Sequence, residues 1–304
     1  MSAFFRALWR RSSPGLFITS ALTFLLILLI FIYPLLTDVD PLAQDIDNAF
    51  AAVGTPGHLL GTDNLGRDTL VRLAYGLRTE LLVCATGTVL AALIGTLAGI
   101  LAAYFRGFAD MLLMRMVDIV LAFPTLVFAM LIVSLYGAGN LTIIVICAIV
   151  FFPSFARLTY GEVLSLRRAL YVESAELFGG TRWQIISGPL LRGVGPLVLA
   201  QGFLTLAFAV GLESGLSFLG LGITPPTPSL GLMIASGQQY FLQSPWQLLI
   251  PSIVLVVLLV IFGYVADWIR DLLDPRGVGK VKRGRRGGAA PRVTAAEMIE
   301  GVSA

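Results

Sequence analysis

The chain of 304 residues has one histidine, His58, two cysteines, Cys84 and Cys147, and only 13% charged residues. So few histidines and cysteines leave no zinc-type ligand set and no H-E-x-x-H pair. They also leave Ser214 and Ser217, close to Glu213, without a histidine base, so the serines read as packing residues rather than nucleophiles. No G-x-x-x-x-G-K-[ST] phosphate loop occurs, which excludes ATP binding by that route. No internal repeat is visible, which argues against transporters built from two similar halves. No stretch interleaves aromatic and basic residues as a nucleic-acid surface would. The two cysteines lie in apolar surroundings and read as small buried hydrophobes rather than as ligands or a disulfide.

What is present is apolar length. Hydrophobic residues make up 57% of the chain, and they cluster into runs that reach the ~20 residues needed to cross a bilayer as a helix. Six such spans are expected, at about 16–36, 81–104, 116–136, 140–157, 194–217 and 247–268. Asp118, Pro124, Pro153 and Arg157 interrupt or flank the third and fourth, and the two prolines are candidate kinks. The apolar core from Leu16 to Leu36 exceeds a signal-peptide core of roughly 7–15 residues, and reads as an uncleaved anchor.

Positive charge orients the spans. With six crossings and the N-terminus inside, 18 of the 21 lysines and arginines fall on the cytoplasmic side. Both termini are therefore expected inside. Residues 1–15 form a cytoplasmic N-terminal tail, 16–276 a transmembrane domain, and 277–304 a basic, disordered cytoplasmic tail. The basic run 280–292 reads as a retention signal rather than as a nucleic-acid or lipid patch.

Two segments between spans carry more than connection. The outer segment 37–80 begins with Asp38, Asp40, Asp45 and Asp47 and continues through Gly61, Thr62, Asp63, Gly66, Arg67 and Asp68. Leu70, Leu73, Ala74 and Leu77 then recur at helical spacing, with Asp68 and Arg72 opposite. That pattern predicts a short amphipathic helix at the outer interface, with Asp63 as its N-cap. The inner loop 158–193 holds a predicted helix from Glu162 to Phe178, with Leu164, Ala175 and Leu177 as its apolar face. Gly179 and Gly180 stop that helix, and Thr181-Arg182-Trp183-Gln184 starts another leading into span five. A helix, a glycine break and a second helix form a knob suited to a groove on another protein; an ordinary connector would have similar composition.

Within the spans, Glu213 is an intramembrane charge, a costly feature that marks either a pathway or a buried structural bond to nearby hydroxyls or the Gly220–Gly222 backbone. Asp118 and Arg157 are placed at the inner boundary, where their side chains reach water. Gly95-x-x-x-Gly99 and Gly211-x-x-x-Gly215 offer close helix packing.

The segment Glu173-Ser174-Ala175 with Gly179 four residues on, between spans four and five, resembles the EAA loop of bacterial ABC importer permeases. Three further stretches resemble the C-type permease subunit of the dipeptide, oligopeptide and nickel importers: residues 58–68, 216–229 and 267–276. The resemblance covers about 16–276. It implies an all-α polytopic membrane protein with the type I ABC importer permease fold. It implies that Glu173, Ser174, Ala175, Gly179 and Gly180 belong to a coupling loop, 170–192, docked on a separate ATPase. The implied partners are a homologous B-type permease, two ATP-binding subunits, alike or different, an external substrate-binding protein and the bilayer. ATP and magnesium would sit on the ATPases, and this non-catalytic chain would bind no cofactor. The implied location is the bacterial inner membrane and the implied cargo a di- or oligopeptide, with nickel complexes, glutathione-like compounds or sugars as alternatives.

Three departures stand out. Ser174 replaces the usual alanine, Leu191-Arg192 replaces a Leu-Pro pair with a proline three earlier at Pro189, and Leu230-Gly231 replaces Trp-Gly. The first is mild, the second puts the exit of the coupling helix in question, and the third would alter contacts with an external partner. The residues alone also fit a membrane receptor with the outer segment as ligand site, and the motifs do not separate an importer from a peptide exporter.

Overall fold

The computed structural model describes residues 30, 32–34 and 37–273. The tails 1–15 and 277–304 and nearly all of the expected first span therefore lie outside the described residues. Within them four helices are long and apolar enough to cross a membrane, and a bent pair brings this to five.

Helix α1, Thr69–Phe105, is 37 residues long. At 1.5 Å per residue it extends about 55 Å, well beyond a hydrocarbon core of about 30 Å. The expected amphipathic helix around Leu70–Leu77 is therefore not a separate interfacial element but the first turns of this span. Its N-cap is Asp68 rather than Asp63, with the carboxylate accepting from the Val71 N–H at 3.0 Å. Arg72, expected on a wet face, is buried.

The expected third span is broken. Helices α2, Phe108–Leu121, and α3, Thr125–Tyr136, meet at 91°. Pro124 causes the break: it has no N–H for the ladder and pushes the preceding residue out of helical conformation. Pro153, in contrast, lies inside the uninterrupted helix α4, Asn140–Leu166.

The predicted helix 162–178 is divided at Arg167–Ala169 between the end of α4 and the short helix α5, Leu170–Leu177. Helix α6, Arg182–Ile185, runs through a π-helical turn, Ile186–Leu190, into α7, Leu191–Phe218. Pro189 sits in that turn. A proline in a regular helix clashes with the carbonyl four residues back, and the wider turn relieves that crowding. The helix thus reaches Arg192 without ending, and Arg192 is simply an exposed residue of α7. Helices α8, Leu230–Gln239, and α9, Trp246–Leu273, follow, and a short 3-10 helix, Ile46–Asn48, precedes α1.

The most extensive pairing is α1 against α4. Small residues permit it: a β-carbon on Gly95 would strike the Phe152 carbonyl, and one on Gly99 the Ala156 carbonyl. The second small-residue motif does not act this way, since Gly211 only reaches Leu259 at 3.9 Å and Gly215 faces open space. The main core joins α1, α3, α4, α7, α8 and α9 through residues such as Leu77, Ile146, Val210, Leu230 and Phe262. Cys84 and Cys147 are fully buried within it, as expected of small hydrophobes. Large apolar side chains also cover outward faces, among them Val89, Leu93 and Leu97 on α1 and Ile253, Val256 and Val260 on α9. Helices apolar on both inner and outer faces are those of a membrane protein.

Candidate functional site

A second, smaller core lies at the far end of α1. Ile100, Ala103, Val163, Val172, Ile185, Ile186, Leu190 and Val194 join α1, α4, α5, α6 and α7 there. Val172 is the buried residue of α5, and Ala175 packs partly against the same cluster. Two arginines fasten the base. Arg167 donates to the Ala103 and Tyr104 carbonyls at 3.3 and 3.1 Å and lies over the Tyr104 ring, while Arg182 lies over Phe105. These contacts occupy the C-terminal carbonyls of α1, where a cation is favoured.

The motif residues shape the end of α5. Gly179 adopts φ +79°, a left-handed conformation that favours glycine. Its N–H donates to the Glu176 carbonyl and the Gly180 N–H donates to the Ala175 carbonyl, each at 3.0 Å. Together they form the paired helix-ending bonds of a Schellman cap. A β-carbon on Gly180 would sit 2.7 Å from the Ala175 oxygen, so the second glycine serves close approach. The Ser174 hydroxyl turns back to the Leu170 carbonyl at 2.7 Å, leaving the helix intact where alanine is usual. Glu173 projects into the open. The chain then re-enters helix at Thr181, which forms a capping box with Gln184.

The cap turns apolar side chains outward. Leu170 is 80% exposed, Leu177 82%, Phe178 92% and Trp183 65%. Leu177, expected on the packed face, instead belongs to this exposed group. Four large hydrophobes exposed on one knob make it a candidate interaction site.

The motif at the other end of α1 is a folded lid on the helix start. Asp63 is its hub: it accepts from the Leu65 and Arg67 N–H groups and pairs with Arg67 at 2.7 Å and Arg72 at 3.4 Å. Gly66, at φ +71°, lies so close to the Asp45 carbonyl that no side chain fits. Thr62 hydrogen-bonds the Asn48 carbonyl and the Ala51 N–H, and Gly61 abuts Ala51. Asp68 caps α1 and also contacts His58 at 2.9 Å. The lid reaches α8 and α9 through Phe50 stacked edge-on to Tyr240 and through Gln247 donating to the Thr62 carbonyl. The cavity between these parts, lined by Asp63, Arg67, Arg72, Ser236 and Gln247, measures about 20 Å³, room for one water rather than a substrate.

Glu213 is fully buried, and the Ser217 hydroxyl donates to it. The same hydroxyl accepts from the Ile223 N–H at 2.9 Å, which links the acid through Ser217 to the 219–223 loop. Sequence reasoning missed its neighbour Glu80, also fully buried, because the second span was started one residue later. Leu230, a departure expected to alter outside contacts, is instead buried in the main core. Asp118 and Arg157 are exposed and pair at 2.7 Å across α2 and α4.

The described residues, helical and rich in apolar spans, are those of a multi-pass membrane protein. The chain belongs to the family of binding-protein-dependent transport system inner membrane components, which its residues 95–277 match. It is 34% identical over 275 residues to a probable D,D-dipeptide transport system permease protein of Escherichia coli, covering 90% of this chain and 92% of that one. It is 37% identical to the oligopeptide transport system permease protein of Haemophilus influenzae, covering 72% and 70%. A chain of the MetNI methionine ABC transporter, solved in inward-facing conformations, shares the fold with a TM-score of 0.56 at 19% identity, over 67% of this chain and 98% of that one.

Proposed function

We propose that the chain is the C-type permease subunit of an ATP-driven importer of di- or oligopeptides, in the bacterial inner membrane. It has six spans with both termini in the cytoplasm, and it lines half of the pathway beside a homologous B-type permease. It catalyses nothing itself. Two ATP-binding subunits carry ATP and magnesium, and an external binding protein delivers the cargo. Glu173, Ser174, Ala175, Gly179 and Gly180 shape the coupling site. The lid motif Gly61, Thr62, Asp63, Gly66, Arg67 and Asp68 holds the outer end for the binding protein.

The observation that carries this reading is the knob: it is ordered by its own cap, seated on its own core, and tipped with apolar side chains. ATP-driven closure of the ATPases moves it as a rigid body, and its cluster with α1, α4 and α7 passes that movement to the spans. Transmission requires that ATP bind one global state more tightly than the other. The named relatives serve D,D-dipeptides and oligopeptides, which favours peptide cargo. The test is uptake of labelled di- and oligopeptides into vesicles holding the complex, with ATP inside and binding protein outside. Accumulation that needs both supports the reading. Uptake of a nickel complex, glutathione or a sugar instead would change the cargo, and efflux would reverse the direction.

A further inference from the structure

Two carboxyl groups face each other inside the membrane domain. Glu80 on α1 and Glu213 on α7 are both fully buried, and Ser214, next to Glu213, donates its hydroxyl to Glu80, which brings the two carboxyls side by side. Counting donors shows what is missing. Glu80 Oε1 accepts from the Ser214 hydroxyl, and Oε2 accepts from the Leu230 N–H at 3.2 Å. Glu213 Oε1 accepts from the Ser217 hydroxyl and the Ile223 N–H lies beside that carboxyl, but no protein donor meets Glu213 Oε2 in hydrogen-bonding geometry. Among the described residues the Cys84 thiol on α1 also lies near the pair, and it brings no positive charge.

An ionised carboxylate only accepts hydrogen bonds, and two in contact repel. Buried polar atoms nearly always find a partner. The one donor that the site lacks is a proton between the carboxyls. We propose that Glu80 and Glu213 form a proton-binding site that holds one shared proton, donated by one carboxyl to the other. This closes a network of Glu80, Glu213, Ser214, Ser217 and the Leu230 N–H. It pins α1, α7 and the first turn of α8 together, towards the end of α1 opposite the knob. Gly231 allows the same approach, since a β-carbon there would strike the Ser214 carbonyl. The site depends on neither the cargo nor the coupling role.

Infrared spectroscopy of the intact complex in lipid at neutral pH tests this. The wild type should show a protonated-carboxyl C=O stretch that is lost in both Glu80→Gln and Glu213→Gln, because each glutamine supplies an N–H donor in place of the proton. Both variants should keep the wild-type unfolding midpoint, whereas Glu80→Ala should lower it. Absence of any wild-type intensity that these substitutions remove would overturn the proposal. So would a band surviving either substitution, since the proton would then not be shared. Neither readout requires transport, so failure here is distinct from failure of the importer reading.

Discussion

Replacing Gly179 by valine perturbs the knob without crowding it. A β-carbon at Gly179 meets nothing within 4 Å, so the cost is conformational alone. Holding a side-chain-bearing residue left-handed costs about 1–2 kcal/mol. Letting the turn open instead loses two capping bonds, the Gly179 and Gly180 N–H to Glu176 and Ala175, at about 0.5–1.5 kcal/mol each. Either route removes roughly 1–3 kcal/mol from the ordered knob, and 1–2 kcal/mol alone shifts a two-state population about 5- to 30-fold. The main core is untouched, so the chain should reach the membrane in normal amount. In vesicles, peptide uptake should fall by about that factor while ATP hydrolysis persists. Asparagine, which tolerates the left-handed region, should recover most of the uptake, with alanine between. Wild-type uptake by the valine variant, or asparagine as damaging as valine, would refute the reasoning.

Other outcomes follow from the same contacts. Phe178→Ser, at a side chain 92% exposed, should leave the unfolding midpoint of the chain unchanged yet reduce copurified ATPase. Asp68→Ala removes the cap of α1 and the partner of His58; a cap loss of about 0.5–2 kcal/mol should appear as a lower midpoint in thermal unfolding. Gly95→Leu drives a side chain into the Phe152 carbonyl and should abolish folded protein, seen as loss of monodisperse material on size exclusion. Asp118→Asn, at an exposed pair, should change stability by no more than ~1 kcal/mol.

The sequence was most legible where one local rule decides. Apolar length revealed the spans that the described residues contain, and Gly179-Gly180 revealed the end of α5, because the left-handed conformation of Gly179 is one that glycine readily takes. It was least legible where neighbours decide. The amphipathic pattern at Leu70–Leu77 looked interfacial because Arg72 seemed to need water; the lid supplies Asp63 instead, and the helix runs on unbroken. Leu177 obeyed helical spacing but points outward, since α5 is too short and too sharply capped to bury more than Val172 and part of Ala175. Glu80 escaped notice because the second span was started one residue after it, which left Glu80 at the edge of an outer segment. Arg192 and Pro189 left the exit of the coupling helix in question, and the π turn at Ile186–Leu190 shows how the helix continues past the proline.

The central claim is that the knob is where separate ATPases grip this chain. Both native cysteines are buried, so a single exposed thiol introduced by Phe178→Cys reports on the knob alone. Crosslinking of that thiol in native membranes should capture a phosphate-loop ATP-binding subunit, with the yield changing between ATP-bound and nucleotide-free states. A thiol at Phe178 that captures no such subunit, while uptake remains intact, would contradict the account.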